Sequence, residues 1–127
     1  MTANRATLLA LASRVEAATG ADSECVIREA SWAVNVMLAN RQDLHNRVNV
    51  LLSVEAYESA AMSLVPSEAY WRLGHDGDGA DPAEYKADVI VPKLGGVDAR
   101  GRAIAATPPL ALTAAACRAI SGSLPND

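Results

Sequence analysis

The sequence contains no phenylalanine, and its aromatic residues are limited to two tryptophans and three tyrosines. Half of its residues are apolar, but many of these are alanine, so the large side chains that fill a core are scarce. Aromatic side chains bury large areas, and we therefore expect Trp32, Trp71 and the tyrosines to act as packing anchors. A charged fraction of 20% in 127 residues is typical of a folded chain and predicts a single globular domain.

Cysteines and long apolar runs are also few. Cys25 and Cys117 both lie in helical patterns, which favours two buried free thiols over a disulfide or a reactive thiol. No stretch reaches the ~20 apolar residues that a membrane-spanning helix requires, and the first residues lack a secretory pattern. We therefore expect a cytoplasmic protein with no membrane partner.

Basic residues are outnumbered by acidic ones. The chain has 11 Lys and Arg against 15 Asp and Glu, a net charge of −4. Because phosphate binding needs a basic footprint, this balance argues against nucleic acid as a partner. A local basic patch would have to come from Arg41, Arg47, Arg100 and Arg102.

Helical patterns dominate the first half of the chain. Apolar residues recur at helical spacing over residues 3–19, and Gly20 is a natural stop. Asp22 is predicted to cap a second helix. Residues 40–52 fit a helix, a loop or a short strand, and we favour a break near Asn40.

The run from Leu52 to Gly74 is predicted to organise the fold. Ser53 has the chemistry of an N-cap, and Leu52 and Tyr57 are placed to pack across it as a hydrophobic staple. Pro66 is predicted to end this helix, because the residue before a proline is disfavoured in helical conformation.

Alternating segments predict the strands. Residues 69–73 read as a strand with Trp71 and Leu73 toward the core, and Tyr85 to Val91 read as a second strand. Residues 97–102 read as a turn, and residues 103–105 as an optional short third strand.

The last helix is predicted to begin at Thr107 as its N-cap, with Pro108 at the first helical position, and to end at Gly122. We therefore predict one α+β domain over residues 1–122, with a small, mainly antiparallel sheet of two to three strands packed against four to five helices. Residues 123–127 are expected to fray.

Two loops carry the candidate site residues. The first, which follows the first predicted strand, gathers a histidine and three acids, a set that suits a cation or a partner contact: His75, Asp76, Asp78 and Asp81. Its spacing fails the calcium-loop template, so a solvated hairpin connection is the favoured interpretation and no metal is assigned.

The second candidate loop joins Gly95 and Gly96 to Arg100 and Arg102, next to the start of the last helix at Thr107. Glycine lets backbone N–H groups approach an anion, and arginines add bidentate donors. It lacks the lysine and hydroxyl of a phosphate-binding loop, so a polar connection is favoured. Tyr70, Trp71 and Arg72 would suit base stacking, but core packing is the preferred interpretation. No cofactor and no catalytic residue is predicted, since Cys25, His45 and His75 form no local motif.

Several segments resemble small accessory proteins of bacteriophages and prophages, described as a phage α/β/α-sandwich family. The matching features are VEAATG at Val15 to Gly20, the helix from Tyr57 to Pro66, the strand at Trp71, and the closing helix that begins ATP at Ala106 and carries Arg118. The family offers no established catalytic residues. The resemblance implies a non-enzymatic protein that binds and modulates a host or phage protein, a defence component among the options. The alternatives are a nucleotide-binding or nucleotide-sequestering protein and, behind it, a metal-dependent hydrolase. Homo-oligomerisation through the alanine-rich last helix is left open.

Overall fold

The last helix lies at the centre of the fold. The computed structural model describes residues 4–37, 43–76, 84–92 and 96–124, and in it helix α5 (Pro108–Ser123) is buried on almost every side. A helix that is apolar all round belongs inside a protein, and its many alanines let neighbouring elements approach closely. The fold is therefore organised around α5, and the prediction that the run from Leu52 to Gly74 holds this place is wrong.

Around α5, the described part of the chain forms four further helices and one three-stranded sheet. In chain order these are α1 (Arg5–Ala17), a short 3₁₀ turn (Gly20–Asp22), α2 (Ser23–Met37), α3 (Leu44–Ser53), α4 (Tyr57–Leu64), β1 (Tyr70–Asp76), β2 (Glu84–Val91) and β3 (Ala99–Ala105). The strands run antiparallel in the order β1-β2-β3. The predicted α+β class is confirmed.

One face of the sheet packs on α5. Along β2 and β3 the side chains alternate, and Ala87, Val89 and Ala103 are buried toward the helix. At Gly101 the helix backbone comes so close that an added Cβ would lie 2.5 Å from the Ala119 nitrogen, and closer still to the Ala115 carbonyl oxygen. Sheet and helix can therefore meet here only across a glycine.

Two predicted helix ends are confirmed. The Thr107 hydroxyl accepts a hydrogen bond from the Leu110 N–H at 3.4 Å, with Pro108 as the first helical residue, and α5 runs one residue past Gly122 to Ser123. Helix α4 ends at Leu64, just before Pro66. Residues 44–52, for which the sequence left helix, loop and strand open, belong to helix α3, while the predicted break near Asn40 lies outside the described residues.

The predicted cap at Ser53 is wrong. Ser53 is the last residue of α3, and its hydroxyl donates to the Val50 carbonyl at 2.6 Å instead of accepting from the next helix. The chain turns two residues later, where Glu55 adopts the left-handed conformation with φ 58°. The Glu55 and Ala56 N–H groups bond back to Leu52 and Leu51, which closes α3 with a Schellman motif before α4 begins.

The strands are longer than predicted. β1 continues through His75 and Asp76, and β3 begins at Ala99, so the predicted turn over residues 97–102 is largely strand. Trp71 lies on the helix side of β1, as predicted, but 44% of it is exposed, and Leu73 beside it is 38% exposed. They are not core anchors, because α5 packs mainly on β2 and β3 and scarcely reaches the edge strand β1.

Candidate binding face on the outer side of the sheet

The face of the sheet turned away from α5 is open. Period-two alternation along three strands in register puts every second residue on it, and we call the central nine of these residues the outer sheet face. These are Tyr70, Arg72 and Gly74 from β1, Lys86, Asp88 and Ile90 from β2, and Arg100, Arg102 and Ile104 from β3.

Three arginines on this face converge on one carboxylate. Arg100 holds Asp88 through two hydrogen bonds, Nε to Oδ1 at 2.9 Å and Nη2 to Oδ2. From the other side, Arg72 Nη2 lies 3.4 Å from Oδ2, and Arg102 Nε lies 3.9 Å from the same oxygen. The register explains the cluster, because Arg72, Asp88 and Arg102 are directly opposite one another across β1, β2 and β3.

The side chain of Asp88 at the centre is largely buried, whereas two of the arginines around it are exposed to solvent. The Asp88 side chain is 12% exposed, whereas those of Arg72 and Arg102 are 81% and 63% exposed. Hydrogen bonds from Arg100 and Arg72, opposed by desolvation, lower the pKa of Asp88 to about 2, and the same contact raises the pKa of Arg100. Asp88 is therefore ionised at any physiological pH and keeps the guanidinium groups together.

The cluster concentrates positive charge in an acidic protein. Four cations and one carboxylate give the nine residues of the outer sheet face a net charge of +3, against −4 for the whole chain, and the next register pair, Asp76 and Glu84, adds two acids at the end of the sheet. Beside the cluster, the absent side chain of Gly74 leaves a shallow depression of about 440 Å³ lined by Arg72, Lys86 and Arg102. Carboxylates and phosphates are the ligands that such a face can hold.

The structure brings together only some of the residues predicted for the second candidate loop. Arg100 and Arg102 do share a face, but on strand β3 and not in a loop. Thr107 begins α5 on the opposite side of the sheet, and its hydroxyl already serves its own helix. The structure therefore does not bring Thr107 into one anion site with the two arginines.

The first predicted loop cannot be assessed in the same way. His75 and Asp76 end β1, while their side chains, like Asp78 and Asp81 as a whole, lie outside what the structure describes. Over the described ranges, no three His, Cys, Asp or Glu side chains come together as a metal site.

Nucleophile candidates are dispersed. Both cysteines are free, but only Cys117 is buried, with a pKa raised to about 12 by burial. The prediction of a buried Cys25 is wrong, because this residue is on the solvent flank of α2, next to the stripe that packs inward. His45 Nδ1 lies 2.8 Å from the hydroxyl of Ser31, but Ser31 is fully buried and donates to the Arg28 carbonyl, so no substrate can reach it.

Asp88 and Lys86 were missed by sequence reasoning, and Arg72 was interpreted only beside the aromatic residues. The sequence pattern that could have revealed them is the alternation of charged and small residues in RGRAIA of β3 and YKADVIV of β2. Such alternation predicts that one face of the sheet is exposed to solvent. Tyr70, one of the residues suited to base stacking, is 71% exposed on this cationic face.

None of the helices in the described ranges has both the length and the apolar character needed to cross a membrane. No family model, curated protein or solved structure matches this chain.

Proposed function

We propose that this protein acts by binding and performs no chemistry of its own, and that an acidic surface of a partner protein docks on the outer sheet face. The observation that carries the proposal is the convergence of Arg72, Arg100 and Arg102 on Asp88.

The geometry leaves most donors of the cluster available to a partner. A guanidinium has five N–H donors, and Arg72 uses a single long bond to Asp88 while Arg102 approaches only to 3.9 Å. Partner carboxylates can therefore be bound in bidentate fashion. Because Asp88 already holds Arg100 through two hydrogen bonds, less side-chain freedom of that arginine is lost on binding.

The class of partner comes from the resemblance to phage accessory proteins. It favours a host or phage protein met in the host cytoplasm, with a defence component among the candidates. A cationic face on a protein of net charge −4 also orients the molecule, since the rest of its surface repels the same acidic partner.

The test compares two charge reversals of equal size. Fluorescence anisotropy would follow a labelled oligoglutamate peptide binding to the wild type, to Arg72→Glu with Arg102→Glu, and to Arg47→Glu with Arg28→Glu on the helices. We expect the sheet variant to lose about tenfold or more in affinity and the helix variant to stay within about threefold of the wild type. Equal losses in the two variants would refute docking at the sheet.

A second candidate is a phosphate-bearing small molecule in the depression beside Gly74. Arg72, Lys86 and Arg102 line it, and its volume of about 440 Å³ admits a nucleotide. Native mass spectrometry of freshly purified protein would reveal a retained nucleotide. Thermal stabilisation by ATP that is lost in Lys86→Ala with Arg102→Ala would favour this function over the first.

A further inference from the structure

The two edges of the sheet differ. At the β3 edge, the Ile104 N–H donates to Glu16 Oε2 at 2.9 Å, and the Arg102 carbonyl accepts from Arg118 Nη1 at 2.7 Å. Glu16 and Arg118 also pair with each other, and hydrogen bonding to Arg118 lowers the pKa of Glu16. Open strand edges are templates for pairing with another chain. These two side chains occupy the β3 edge and block such pairing.

The backbone groups at the other edge follow from the same hydrogen bonds. The backbone N–H of Ile104 and the C=O of Arg102 point away from β2, and in an antiparallel sheet this direction alternates from one residue to the next. Followed through the register to β1, the alternation makes Arg72 and Gly74 the residues whose backbone groups bond to β2. Trp71 and Leu73 then direct their N–H and C=O groups outward. Within the described ranges nothing pairs with them there, because β1 ends the sheet.

The same two residues expose large apolar side chains. Trp71 is 44% and Leu73 38% exposed on the helix side of β1. Unpaired backbone groups and exposed apolar side chains together are the features that β-strand addition uses. Helix α5, by contrast, is buried within its own chain and offers no surface for the helix-mediated association left open by the sequence.

We propose that β1 pairs antiparallel with β1 of a second copy of this chain, around a two-fold axis at Leu73. All seven residues of the strand then pair, with Leu73 opposite its own counterpart and Arg72 opposite Gly74. An axis at Arg72 would instead place two guanidinium groups opposite each other, which is destabilising. The strand is thus self-complementary in one full-length register, as an isologous interface requires.

The dimer joins the two sheets into one of six strands. The two outer sheet faces become continuous, and their arginine clusters lie side by side. The apolar side chains of Trp71 and Leu73 from each copy cover one another on the helix side.

Crosslinking tests the register. In a Cys25→Ser background, Leu73→Cys is expected to give a covalent dimer on mild oxidation, because directly paired residues have Cα atoms about 5.5 Å apart, within disulfide range. Trp71→Cys is the matched control: position 71 faces position 75 of the second copy, so little covalent dimer is expected. Equal crosslinking at both positions would overturn the proposal.

Sedimentation equilibrium tests the association itself. The wild type is expected to be dimeric and Leu73→Lys monomeric, with circular dichroism confirming that the variant is folded. Ile104→Lys is the control, since Ile104 is similarly exposed at 41% but lies on the capped strand, and it should remain dimeric. A wild type that is monomeric up to its solubility limit, or an Ile104→Lys variant that dissociates as fully as Leu73→Lys, would contradict the proposal.

Discussion

Gly101→Ala should destabilise this protein more than alanine at Gly20, Gly74 or Gly122. A Cβ at Gly101 would meet the α5 backbone on two sides, 2.5 Å from the Ala119 nitrogen and nearer to the Ala115 carbonyl oxygen, and would lie 2.9 Å from the Arg118 Cβ. Ordinary van der Waals contacts of a Cβ begin near 3.4 Å, so sheet and helix must separate by about an ångström. Backbone atoms cannot swing aside as a side chain can.

The expected cost follows from overpacking of well-packed cores, which typically costs 1–3 kcal/mol and occasionally more. Because the obstruction is backbone, we expect about 3 kcal/mol, a large part of the ~5–15 kcal/mol by which a typical domain is stable. Urea denaturation followed by circular dichroism would measure it.

Gly74→Ala is the matched control for this substitution. Gly74 also lies within a strand, but a Cβ there meets nothing within 4 Å, and alanine reduces the freedom of the unfolded chain. We expect its unfolding free energy to equal or slightly exceed that of the wild type. A Gly101→Ala variant within about 0.5 kcal/mol of the Gly74→Ala variant would refute the close approach of α5 to β3.

Three further predictions concern charge, strain and a buried hydroxyl. The Asp88 pKa of about 2 lies below its unfolded value near 3.8, so its stabilising contribution is present above about pH 4 and is lost as pH falls toward 2. In denaturant titrations, the unfolding free energy of the wild type should fall between pH 5 and pH 2 by about 1–2 kcal/mol more than that of Asp88→Asn. This range allows for solvent screening, because the partner arginines are exposed, and equal falls in the two proteins would contradict the prediction. Glu55→Gly should stabilise by about 0.5–1 kcal/mol, since φ 58° suits glycine, and a lower melting temperature would refute the strain. Thr113→Val should stabilise by about 1 kcal/mol, because the buried hydroxyl has no partner among the described residues; destabilisation would show that it has one.

Predictions from the sequence were correct where a local interaction determines the backbone without help from tertiary packing. Thr107 and Pro108 start α5, and Pro66 follows the end of α4, because caps and prolines act on the adjacent backbone whatever the tertiary context. The second strand was predicted within one residue, since Tyr85 to Val91 alternates plainly.

Predictions from the sequence failed where tertiary packing determines the local structure. At Ser53 the cap chemistry was present, but α3 continues through it and the left-handed Glu55 makes the turn instead. β3 was largely interpreted as a turn because its inward residues are alanines and Gly101, whose small size serves the close approach of α5 and carries little hydrophobic signal.

The residues of the candidate site were likewise predicted only in part. Arg100 and Arg102 were singled out from the sequence, but Asp88 and Arg72 join them only through the register of three strands. Net charge says nothing about local charge: a chain of −4 argues against nucleic acid as a partner, while strand alternation places four cations on one face.

The most direct test of the binding account is an NMR titration of the protein with an oligoglutamate peptide, following backbone amides and arginine Nε–Hε groups. The account predicts that the largest shifts fall on Arg72, Arg100, Arg102 and the amides of the three strands, and that they diminish as salt is added. Shifts centred on the helix arginines Arg14, Arg28 and Arg47, with the sheet unperturbed, would contradict it.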